Sequence, residues 1–173
     1  MADLERLIER AEHLLLRLEA LVPPLPADPD WSVQAWRWRR GRLCAVRQPH
    51  RIHLSDLRDV DAQKAALLTN TRQFLRGLPA NNVLLTGARG TGKSSLVKAL
   101  LTDLADEGLR LVEVDKADLT ELPEISELLR ARPERFVIFC DDLSFDADEP
   151  GYKALKVALD GSVAAAAENM LIY

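Results

Sequence analysis

The chain has 173 residues, 47% hydrophobic and 29% charged, with a net charge of −4 at neutral pH. That length and composition suit one domain with a substantial core and exclude a low-complexity or fibrous chain. The acidic balance gives no global attraction for nucleic acid or an anionic membrane. Two cysteines, Cys44 and Cys140, make no disulfide framework. The first residues include Asp3 and Glu5 and lack the apolar core of a signal peptide, so a cytoplasmic location is expected.

Residues 2–22 read as an amphipathic helix. Leu4, Leu7, Ala11, Leu14, Leu18 and Leu21 keep a helical spacing, and Ile8, Leu15 and Val22 widen the stripe. Glu5, Arg6, Glu9, Arg10, Glu12 and Arg17 cover the other side, and His13 reads as a surface residue. The stripe is expected to dock on the body of the protein, with self-association or partner binding as the alternative. A proline-rich connector follows at 23–30, with Pro23, Pro24, Pro26 and Pro29.

Residues 31–58 hold Trp31, Trp36 and Trp38 together with Arg37, Arg39, Arg40, Arg42, Arg47, Arg51 and Arg58. Such a mixture could stack on bases and neutralise phosphates. Tryptophans serve more often as buried anchors, and the acidic stretch after residue 103 offers a partner, so packing is expected and nucleic acid is the less favoured reading. Cys44, His50 and His53 lack a fourth ligand and a zinc spacing.

From residue 59 the chain alternates helices and strands. Helices are expected over 61–76, with Ala65, Leu68, Phe74 and Leu75 apolar, over 93–107, over 122–131 and over 152–167, with Gly161 interrupting the last. Strands are expected over 83–86, 109–114, 136–140 and from 170. The alternation predicts an α/β fold of three layers around a mostly parallel sheet.

Two stretches carry chemistry. Gly87-Ala88-Arg89-Gly90-Thr91-Gly92-Lys93-Ser94 fits G-x-x-x-x-G-K-[ST] between an expected strand and an expected helix, the context of a phosphate-binding P-loop. Its glycines permit angles that place backbone N–H groups of residues 90–95, Ser95 included, toward phosphate oxygens, and the helix start adds its dipole. Lys93 would reach the phosphates and Ser94 would ligate Mg2+. Phe136-Val137-Ile138-Phe139-Cys140-Asp141-Asp142 reads as a buried strand ending in two acids, where open α/β sheets bind ligands. Asp141 suits a Mg2+ site, and Asp142 stands where a carboxylate could polarise the attacking water. A P-loop alone leaves ATPase, GTPase and small-molecule kinase open. Asp148-Glu149-Pro150-Gly151 spells D-x-x-G without following a strand, which makes the GTPase reading weak.

These motifs, with Pro79-Ala80-Asn81-Asn82 ahead of them and Leu143-Ser144-Phe145 after, resemble the AAA+ class of P-loop ATPases. More closely, residues 36–173 are similar to a bacterial family of uncharacterised ATP-binding proteins. The resemblance implies ATP and Mg2+ as ligands, a homo-oligomer and a macromolecular partner to be assembled or remodelled. A nucleotide-sensing module with little hydrolysis is the alternative. It also implies that Val60, in the segment before the P-loop, contacts adenine. In that class the strand that begins at Met170 is followed by a sensor residue, an arginine finger and a helical lid, so this reading expects the chain to be a partial ATPase domain.

Overall fold

Ala35-Trp36-Arg37-Trp38-Arg39 alternates with a period of two, which is the period of a strand, and the computed structural model makes it the first strand of the sheet. The structure describes residues 2–21, 28–144, 149–160 and 168–173. Most of the expected connector, Phe145, Asp148 and the last part, 161–167, of the helix expected over 152–167, with its interruption at Gly161, lie outside the described residues.

In chain order the elements are α1 (Ala2–Leu21), β1 (Ala35–Arg39), β2 (Arg42–Ala45), α2 (Asp61–Leu75), α3 (Lys93–Leu104), β3 (Leu109–Glu113), α4 (Leu122–Arg130), β4 (Arg135–Phe139), α5 (Pro150–Asp160) and β5 (Met170–Ile172). The sheet runs β2-β1-β3-β4-β5. Only the β1–β2 pair is antiparallel; β1, β3, β4 and β5 are parallel neighbours. The expected α/β fold with a mostly parallel sheet is present.

Alternate residues of each strand feed two separate cores. On one face Ala35, Leu109, Leu111, Val137, Phe139 and Leu171 pack with α2 and α3 through Leu67, Phe74, Leu96, Leu100 and Leu104. On the other, Trp36, Trp38, Val112, Phe136 and Ile138 pack with α4 and α5 through Ile125, Leu129 and Leu155. β4 therefore reads as an unbroken apolar run because both of its faces are covered. In α2 the buried positions are Leu67, Thr71 and Phe74, while Ala65 is exposed. A one-residue rotation of the stripe separates this from the expected face.

The segment 31–58 joins the same sheet rather than forming an arm. Trp36 is 1% and Trp38 3% exposed, and Trp31, Trp36 and Phe136 form a ring cluster with centroids 5.5–6.3 Å apart. The hairpin was not legible as such because its two-residue turn is Arg40-Gly41 rather than Asn-Gly.

One further expectation is corrected. Residues 83–86 do not form a strand. Their one ladder bond runs from Val83 N–H to the Ile172 carbonyl (2.9 Å), and the next position is filled by the Asn82 side chain, whose Oδ1 accepts from Ile172 N–H (2.8 Å). A side chain standing in for a backbone carbonyl ends the ladder after one bond, and Leu84 is left 78% exposed. In α1, Ile8, Ala11 and Leu14 are exposed, and no described residue of that helix joins either core. The side chains of Leu4, Leu7, Leu15, Leu18, Leu21 and Val22, which carry most of the stripe expected to dock, lie outside the described residues.

Candidate functional site

Residues 87–92 leave the sheet at the carboxyl end of the parallel strands and turn into α3. Gly87, Gly90 and Gly92 have φ of 146°, 82° and 87°, the region that disfavours any residue with a Cβ. A Cβ on Gly90 or Gly92 would meet nothing within 4 Å, so the requirement there is conformational and the space above the loop is open. Gly92 is the N-cap of α3 and has no side chain to bond the helix start. The first N–H groups of α3, including those of Ser94 and Ser95, thus have neither intrahelical partners nor a capping side chain, which leaves a set of donors facing the loop.

The cation of the motif sits inside this turn. Lys93 Nζ donates to the carbonyls of Gly87 (2.9 Å) and Ala88 (2.7 Å), and Thr91 Oγ1 donates to Ala88 as well (2.9 Å). Ala88 and Arg89 are exposed at the tip.

Asp141 follows β4 directly. Its Oδ1 accepts from Ser94 Oγ (2.7 Å) and from the backbone N–H of Asp142 (3.0 Å). The structure thereby brings together two motifs lying 47 positions apart, hydroxyl against carboxylate. Asp142 is exposed and holds a positive φ of 51°, a conformation aspartate tolerates better than most residues. The hydroxyl and carboxylate oxygens fit a hard divalent cation held with several waters, as Mg2+ is. Val60 is placed differently. It is the N-cap of α2, partly buried against the first core, and no described hydrogen bond joins it to residues 87–94.

The approach to the loop is positioned by side chains that sequence reasoning did not single out. Asn70 of α2 grips residue 81 from both sides, Nδ2 donating to the Asn81 carbonyl (2.8 Å) and Oδ1 accepting from Asn81 N–H (2.9 Å). The same Nδ2 reaches the Tyr173 hydroxyl (2.9 Å), which also lies 2.8 Å from Thr71 Oγ1. Burial pushes the Tyr173 hydroxyl above its ordinary pKa, with Thr71 and Asn70 acting in the opposite sense, so it remains a neutral hydrogen-bonding group. The only local signal was the Asn81-Asn82 pair ahead of an apolar run, two amides at a position where a strand normally begins.

Cys44, His50 and His53 are not drawn into a metal cluster; no group of three or more potential ligands occurs among the described residues. His53 Nδ1 instead lies 2.6 Å from Asp103 Oδ1. Burial alone pushes the Cys140 thiol up to about 12. In the native protein at pH 8, iodoacetamide should therefore modify half-buried Cys44 and spare Cys140 until denaturant is added. Mass spectrometry showing early modification of Cys140 would contradict the closed packing beside Asp141.

No helix among the described residues is long and apolar enough to cross a membrane. The model of a family described as "Protein of unknown function (DUF815)" matches residues 31–173. No curated protein and no solved structure matches the chain.

Proposed function

The chain belongs to the DUF815 family of proteins of unknown function, and from that premise we propose that it is the P-loop core of an AAA+-like ATPase. In this reading it binds ATP with Mg2+ and hydrolyses it to drive or gate the assembly or remodelling of a macromolecular partner, as a homo-oligomer. The observation that carries the reading is the 2.7 Å hydrogen bond between Ser94 Oγ and Asp141 Oδ1, which joins a glycine-rich phosphate loop to an acid at the end of a buried strand. Neither motif alone implies a nucleotide; together they would supply phosphate donors and metal oxygens at one place.

Each residue then has a task. Backbone N–H groups of 88–95 would hold the phosphates at the start of α3, and Lys93 would exchange the carbonyls of Gly87 and Ala88 for phosphate oxygens. Ser94 and Asp141 would hold Mg2+, which supplies neutralisation of phosphate charge when bound. Asp142, exposed next to them, would accept a proton from the attacking water. Val60 would lie against the base by the AAA+ resemblance.

A nucleotide-sensing module with little hydrolysis is the second reading. It is favoured by Asp142, one methylene shorter than a glutamate, on a backbone turned to a positive φ. Single-turnover hydrolysis measured beside ATP affinity separates the two: tight binding without turnover supports sensing, and neither binding nor turnover removes both.

Asp141→Asn tests the metal assignment. Asparagine keeps an oxygen that can accept from Ser94 and from Asp142 N–H, so the loop should hold its shape while the charge is lost. ATP affinity of the variant should become nearly equal with Mg2+ and with EDTA, and turnover should fall by about 100-fold or more. A Mg2+ dependence matching the parent protein would remove Asp141 from the metal site.

A further inference from the structure

The tip of the β1–β2 hairpin breaks two local rules, and both breaches fall on arginines. Arg39 and Arg42 are direct cross-strand partners, so two like charges stand opposite each other on one face of the hairpin. Arg40 occupies a turn position with φ 51°, where glycine, asparagine or aspartate is the ordinary residue. Arg37, two positions earlier on the same face, shows the usual solution, an ion pair with Glu113 at 2.6 Å. None of the ion pairs among the described residues includes Arg39, Arg40 or Arg42, and the nearest compensation is the attraction between Arg39 and Asp118 across the same cleft. Departures of this kind persist where a site needs them.

The three arginines line one cleft with Cys44, Asp115 and Asp118, of about 660 Å³. The cleft is open and polar, and all three arginines are exposed to solvent. The cleft lies past the carboxyl ends of β1 and β3, the edge where open α/β sheets receive ligands, and its lining shares no residue with 87–94 or Asp141.

We propose that this cleft is a second ligand site, which binds the phosphate ester of a small polyhydroxylated molecule. A phosphate group offers three oxygens and close to two charges, enough to bridge Arg39 and Arg42 and to relieve their repulsion. When ionised, Asp115 and Asp118 can only accept hydrogen bonds, which suits them to the hydroxyls of the same ligand. A nucleic-acid strand fits less well. Trp36 and Trp38, the aromatic residues of β1, are buried and unable to stack on bases, and the two aspartates would repel a following phosphate.

The test is calorimetry on Lys93→Ala protein, in which the phosphate loop is weakened, with four probes: ribose 5-phosphate, ribose, inorganic phosphate and a single-stranded oligothymidylate. Ribose 5-phosphate should bind, with ribose and inorganic phosphate each weaker by about tenfold or more. Adding Arg39→Gln and Arg42→Gln should lower ribose 5-phosphate affinity by at least about tenfold. The same double change should leave the melting temperature of the free protein equal or higher, because it removes a like-charge pair. Four results would each overturn the proposal: no binding of ribose 5-phosphate at millimolar concentration, unchanged affinity in the glutamine variant, inorganic phosphate binding as tightly as the ester, or tighter binding of the oligothymidylate. A glutamine variant that melts well below its parent would show that the arginines serve the hairpin itself, and would overturn it too.

Discussion

Replacing Lys93 with alanine is expected to lower ATP affinity about 10- to 150-fold while leaving the fold intact, since a hydrogen bond from a charged donor contributes about 1.5–3 kcal/mol. The two parts of that expectation have separate causes. Among the described residues the amine bonds only to the carbonyls of Gly87 and Ala88, both at the exposed loop, and water can replace it there without leaving a buried group unpaired. Nothing in either core rests on it. The affinity loss comes from the cation's reach to phosphate, the role its place in the loop suits. Calorimetry of ATP binding, paired with a thermal melt of the same variant, checks both parts. An affinity within twofold of the parent in a folded variant would remove the phosphate-loop assignment. Lys93→Arg is an informative companion, because a planar fork does not reproduce a compact ammonium in so tight a turn and should rescue little.

Trp36→Ala is expected to cost about 3–5 kcal/mol of stability, a large share of the about 5–15 kcal/mol that holds a domain together. Trp36 is 1% exposed and touches Trp31 and Phe136, the latter in the middle of the sheet. Its indole N–H also donates to the Asp30 carbonyl (3.1 Å), which would lose that partner. The melting temperature should fall by about 6–20 °C for a chain of this size. Trp31→Ala, at a half-buried position, should cost clearly less. A fall of under 2 °C for Trp36→Ala would mean that the hairpin is not part of the folded core.

The residues of the candidate site are largely legible in the sequence. Gly87, Gly90, Gly92, Lys93 and Ser94 stand at a spacing set by backbone geometry within one turn, and contiguous chain cannot rearrange that spacing. The apolar run before Asp141 announced a strand buried on two faces, which is how β4 packs. The tryptophan–arginine alternation also carried the period of a strand, yet its charges and its Arg40-Gly41 turn obscured it, because the usual hairpin signal is asparagine before glycine.

What lies beyond local spacing is the tertiary structure's contribution. Local residue order specifies helices, turns and strand faces through bonds and sterics that act within a few positions, and here it determined the glycine-rich loop, the acidic strand end and the α/β alternation. Contacts between distant segments depend on how the sheet is ordered. Only the folded chain decides that Ser94 meets Asp141, and that Asn70 and Asn82 rather than a full ladder hold residues 81–83. It likewise decides that β1 sits beside β3, burying Trp36 and Trp38 while Arg39 and Arg42 face each other over an open cleft. Hydrophobic burial is non-directional, so which apolar face meets which is settled by the competition of all faces at once, and no single stretch of sequence contains that outcome.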